Sequence, residues 1–133
     1  MRALILCLAI LTITTTAQAK TLIASWYSVE SLKAEGTYKY SKGVMANGKQ
    51  FTECSISKYN GLEVFVCATS KQYKLGTYLK VTNNANGKSI LAKVTDRIGK
   101  RFKGKRIDLS KGAFSKIADT KQGIVSVEVT ELR

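Results

Sequence analysis

The chain contains no histidine and no proline among its 133 residues, only one tryptophan and three cysteines, and nine acidic side chains against 22 basic ones. Without histidine no thiol has an imidazole base, which removes a Cys–His nucleophile from consideration. Without proline, a low-complexity tract or an internal repeat, nothing divides the sequence, and one domain is expected. Long apolar runs are missing as well. The uncharged apolar stretch at residues 3–13 falls short of the roughly 20 residues needed to span a bilayer. It follows Arg2 and leads to Ala17-Gln18-Ala19, a small-x-small pattern of the kind a signal peptidase cuts. Residues 1–19 are therefore expected to be a signal peptide cleaved after Ala19. Residues 20–133 would then be a secreted or periplasmic domain with no stable membrane anchor.

Cys7 lies inside the apolar run, behind the bulky Leu6, so lipidation is not expected and this cysteine leaves with the signal. Cys54 and Cys67 remain, and in an oxidising compartment a bridge between them is the default. By chain-entropy arguments a short loop of this kind would contribute about 3 kcal/mol.

What is present in excess is positive charge. The net value is +13, or +12 once Arg2 is removed. A basic exported protein is drawn to acidic envelope polymers, whereas export argues against nucleic acid as a partner. Lys93, Arg97, Lys100, Arg101, Lys103, Lys105 and Arg106 gather around one acidic residue, Asp96. They either steer an anionic substrate or form a solvated face.

Short β-prone runs mark strands at residues 21–27, 64–68, 78–82, 89–95 and 125–130, the last two with period-two alternation. Asn86-Gly87 supplies a hairpin turn between the third and fourth of these. A short helix is expected after Ser110, which can cap it, with Leu109, Ala113, Phe114 and Ile117 on one face. Residues 30–49 show no sustained period and read as a long loop over the barrel. Short strands, abundant turns and a small helix together indicate a mainly β fold, a small closed or nearly closed barrel.

The motifs Ala24-Ser25-Trp26-Tyr27, Ala46-Asn47-Gly48 with Phe51, Leu75-Gly76-Thr77, Val81-Thr82-Asn83, Asn86-Gly87-Lys88-Ser89, Asp96-Arg97 and Ile107-Asp108-Leu109-Ser110 occur in this order across residues 20–133. In order and spacing they resemble the rare lipoprotein A family. That resemblance implies a six-stranded double-psi β-barrel with one or two short helices, a fold shared with expansins. It also implies a polysaccharide partner, above all peptidoglycan, cut by lytic transglycosylases that use no cofactor and no metal. In such a reaction the sugar's own 6-hydroxyl closes on the anomeric carbon, so one carboxyl serves as acid and then base. Asp96 is the candidate. Trp26 and Tyr27 are expected as a stacking platform, with Asn47, Ser70 and Arg97 as further substrate-binding positions, Arg97 alternatively pairing with Asp96.

The sequence also departs from the family's pattern. Lys49 stands where an acid is usual, Ser70 where a histidine is usual, and Ile98-Gly99 replaces Gly-Pro. Glu53 could supply a displaced carboxylate. Asp108 reads as a turn residue that bonds backbone amides before the helix. Two functional readings stay open: an endolytic peptidoglycan transglycosylase, and a non-catalytic glycan-binding or expansin-like wall-loosening protein.

Overall fold

The computed structural model describes residues 18–132. Residues 1–17 of the expected signal peptide, Cys7 among them, lie outside the described residues.

Strands β1 (Lys20–Tyr27), β2 (Ser57–Tyr59), β3 (Leu62–Thr69), β4 (Tyr78–Asn83), β5 (Ser89–Arg97), β6 (Arg106–Ser110) and β7 (Ile124–Glu131) form one sheet in the order β2-β3-β5-β4-β7-β1-β6. Pairing of β3 with β6 closes it. The result is a six-stranded barrel with β2 added outside it on β3. Two pairs are parallel, β1 with β6 and β3 with β5, and the others are antiparallel. The expected mainly β barrel is what the chain forms.

Alternation along each strand sorts side chains to two faces. Leu22 and Ala24 of β1, Phe65 and Cys67 of β3, Ala92 and Val94 of β5, Ile107 and Leu109 of β6, and Val127 and Val129 of β7 fill the barrel. A second, smaller cluster lies on the other face of the wall, where Met45, Phe51 and Val66 pack with Tyr27 and Val29.

Helix α3 (Lys111–Ile117) follows β6 directly. Ser110 caps it by accepting from the Ala113 amide at 3.2 Å, and Ala113, Phe114 and Ile117 are buried. Leu109, expected on the helix, is the penultimate residue of β6. The Asn83 and Asn86 side chains both donate to the Ile117 carbonyl, at 2.8 and 2.9 Å, tying the β4–β5 turn to the helix end.

Three sequence expectations are corrected. Residues 30–49 are not an open loop, since α1 (Val29–Ala34) and α2 (Tyr38–Ser41) form there and Val44 bridges to Gln50. Neither helix buries a residue, so neither leaves a periodic apolar trace. Strand β2 was not anticipated, and its two-residue turn uses Asn60 and Gly61 at φ 49° and 81°, the conformation such hairpins demand. The Cys54–Cys67 bridge is absent: both thiols are free. Cys67 points into the barrel core, while Cys54 is exposed in the connection from Phe51 to β2. Strand parity therefore turns Cys67 away from any surface partner.

Candidate functional site

The site is built on the outer face of the barrel wall. In strand β3, Cys67 pairs with Val94 of β5, but Ala68 pairs with Asp96, leaving Thr95 as an extra residue in a bulge. Two residues beyond the inward-facing Val94, Asp96 would point into the core of a regular strand; the bulge turns it outward. On the other side Ala68 pairs with Asp108 of β6, and Asp108 pairs with Ser25 of β1. One row across the wall thus reads Asp96, Ala68, Asp108, Ser25. With strands about 4.8 Å apart, the two aspartates stand roughly 10 Å apart across the small side chain of Ala68.

This row underlies a cleft of about 420 Å³. Trp26, Tyr27, Asp96, Asp108 and Arg106 line it from the strands, and Glu35 and Thr37 from the α1–α2 segment. A larger groove of about 670 Å³, lined by Tyr59, Leu62, Phe65 and Leu91, is predominantly apolar with Glu63 as its single carboxylate. Convergent acids and aromatics make the smaller cleft the candidate site.

The two aspartates are held differently. Asp96 Oδ1 accepts from the amides of Ala46 at 3.0 Å and Arg97 at 2.9 Å, and no cation pairs with it among the described residues. Asp108 accepts from Arg106 Nε at 3.0 Å and from the Ser25 hydroxyl. Arg106 Nε also donates to Ser25 at 2.8 Å. Asp108 thus bonds side chains on β1 and β6 rather than the backbone amides expected of a turn residue.

Arg97 does not pair with Asp96. Its guanidinium turns to the carbonyls of Tyr73 at 2.7 Å and Ser70 at 3.1 Å, binding the β3–β4 connection to β5. Ser70 is buried, and its hydroxyl donates to the Gly99 carbonyl at 2.7 Å, which makes it a structural tie. Asn47 is exposed outside the cleft lining, where its Oδ1 accepts from the Lys49 amide at 3.0 Å. Its own amide donates to the Thr95 carbonyl at 3.0 Å, seating the 45–49 turn on the bulge. Glu53 is exposed and does not line the cleft. Its carbonyl comes so close to Gly112 that a Cβ there would collide with it.

The aromatic pair divides its roles. Trp26 lines the cleft, fixed by donation from Nε1 to the Thr120 carbonyl at 3.0 Å, with the Lys111 ammonium 5.3 Å from its ring. Tyr27 also lines the cleft, its ring packed at a tilt on Phe51 with centroids 4.6 Å apart. Burial, followed by the charge of Asp96, pushes its phenol far above its ordinary pKa. Burial likewise pushes the Cys67 thiol up, with smaller contributions from Asp108 and Asp96.

Sequence reasoning missed Glu35 and Phe102 as cleft residues. Phe102 carries the guanidinium of Arg101 at 4.6 Å and of Arg106 at 5.0 Å from its ring centre, giving the rim a cationic aromatic patch. The crowded Arg-Phe-Lys run at 101–103 was a signal for it; Glu35 had none.

Residues 19–129 match the model of a protein family described as "Lytic transglycolase". The endolytic peptidoglycan transglycosylase RlpA of Neisseria meningitidis is 38% identical over 66 residues, covering 49% of this chain and 27% of that protein. The chain spans between 27% and 59% of the length of the curated relatives it matches. Among solved structures, the Streptomyces papain inhibitor superposes with a TM-score of 0.62 at 21% identity, over 90% of this chain and 98% of that one. A Clavibacter michiganensis expansin mutant in complex with cellohexaose superposes with a TM-score of 0.54 at 21% identity, over 87% and 51%. These structural likenesses identify the barrel as the double-psi type.

Proposed function

Because this chain belongs to the lytic transglycolase family, whose model matches it over residues 19–129, we propose that it cuts the glycan strands of peptidoglycan by intramolecular transfer. The observation that carries this reading is Asp96, turned outward by a bulge and held on one oxygen by two amides, with no cation paired to it among the described residues. Its carboxyl gives a proton to the glycosidic oxygen as the bond from that oxygen to the anomeric carbon breaks. The 6-hydroxyl oxygen of the same sugar then bonds to that carbon and returns its proton to Asp96. The products are a free hydroxyl end and a 1,6-anhydro end. No water is consumed, so a second carboxylate to activate it is unnecessary.

Trp26 offers an aromatic surface to a sugar ring, and the cations at Lys100, Arg101, Lys103 and Lys105 draw an anionic polymer toward the cleft rim. The enzyme acts outside the cytoplasm, after removal of residues 1–19. A glycan-binding, wall-loosening role is the second reading, favoured by Lys49 and by the commitment of Asp108 to Arg106.

Incubation of the purified protein with peptidoglycan glycan strands, followed by mass spectrometry, tests both. Products bearing 1,6-anhydro ends are expected. Retention on the strands with no new ends would leave the binding role in place of the enzymatic one.

A further inference from the structure

The ring of Tyr27 lies on Phe51 within the outer cluster that also holds Met45 and Val66. A phenylalanine would pack there equally well. The hydroxyl is what a phenylalanine lacks, and it is buried with no hydrogen-bond partner among the described residues. A buried hydroxyl left unbonded costs stability, so the free protein gives it no role. Tyr27 lines the same cleft as Asp96 and packs with Met45, the residue before Ala46, whose amide holds the Asp96 carboxylate. Asp96 meanwhile engages only Oδ1 with the amides of Ala46 and Arg97. Gln72 carries the other buried, unpartnered side-chain atoms, and it does not line the cleft.

Resting on the transglycosylase reading, we propose that Tyr27 is a positioning residue for Asp96, its hydroxyl closing onto the unengaged Oδ2 when a glycan fills the cleft. Catalytic hydrogen bonds are often long in an empty site and tighten only on loading. The phenol donates without giving up its proton, because burial and the adjacent carboxylate hold it in the protonated form. Its effect falls on one moment of the reaction. When Asp96 has passed its proton to the glycosidic oxygen, the new carboxylate finds a third donor, the first on Oδ2. The titratable and charged groups facing the pair are Cys67 on β3, Asp108 with its partner Arg106 on β6, and Glu35 at the end of α1.

The test is Tyr27→Phe, with glycan strands as substrate. The variant is expected to unfold at the same or a higher temperature than wild type, because no bond in the free protein is lost. KM is expected to stay constant while kcat falls roughly tenfold, the scale of a hydrogen bond to a charged group. An unchanged kcat would overturn the proposal, as would a rise in KM that accounts for the whole loss or a loss of stability in the free variant. If wild type releases no anhydro product, the transglycosylase reading itself fails; if wild type is active and the variant indistinguishable from it, only the role of Tyr27 fails.

Discussion

Asp96 and Asp108 occupy one row of the barrel wall, on either side of Ala68, and yet their surroundings differ in kind. Asp108 is joined to a guanidinium on its own strand and to a buried serine on the neighbouring β1. Asp96 is held by two backbone amides on one oxygen. A carboxylate neutralised by a neighbouring cation glues strands together. A carboxylate oriented by amides keeps its other oxygen available to a substrate. Position in the sheet thus does not distinguish the two acids; the partners do.

The comparison breaks most sharply at Asp96. Asp96→Asn keeps the amide contacts but removes the titratable proton, so anhydro product should fall at least about 100-fold, the lower range for a general acid. Thermal unfolding should be nearly unchanged, and full activity in this variant would move the chemistry elsewhere. Asp108→Ala should do the reverse. It takes the acceptor from the Ser25 hydroxyl and leaves Arg106 with Ser25 alone, a loss of about 1–3 kcal/mol measurable by urea denaturation. Stability equal to wild type would show that the β1–β6 seam does not depend on this pair.

Salt sharpens the comparison at lower amplitude. Screening shortens to about 10 Å at 0.1 M ionic strength, so exposed cations near the Asp96 rim lose their reach while the Arg106–Asp108 contact persists. Retention on purified peptidoglycan should fall several-fold between low and high salt without a change in unfolding temperature. Constant retention would remove the steering role of Lys100, Arg101, Lys103 and Lys105. The smallest effect concerns the thiols. Cys67 lies next to Ala68 but faces inward, with burial and both aspartates keeping it protonated. In the folded protein an alkylating reagent should modify Cys54 and spare Cys67, and Cys54→Ser should alter stability by less than about 0.5 kcal/mol. Protection of both thiols, reversed by reductant, would restore the disulfide.

The barrel was legible because Val127 and Val129, or Ala92 and Val94, repeat at a period only a strand satisfies. Asp96 was legible through its place after such a run. Three features were hidden for separable reasons. The helices α1 and α2 bury nothing, so no apolar period announces them. The bridge expected at Cys67 rested on compartment and count, neither of which carries the strand parity that sends a side chain inward. The pairing of Ser25, Arg106 and Asp108 depends on a parallel register between strands more than 80 residues apart, beyond any local signal. Arg97, adjacent in sequence to Asp96, was the natural partner on paper, and the carbonyls of the β3–β4 connection claimed it instead.

The place of β1 has a consequence for timing. Its two neighbours, β6 and β7, come from the other end of the described chain, and β7 also supplies the second neighbour of β4. A polypeptide emerging from its N-terminus therefore carries β1 without a mate until β6 is made. Such non-local pairings form slowly, and until β7 arrives both β1 and β4 expose open edges on which other chains can assemble. Closure of the barrel therefore waits for β7, the last of its six strands in sequence.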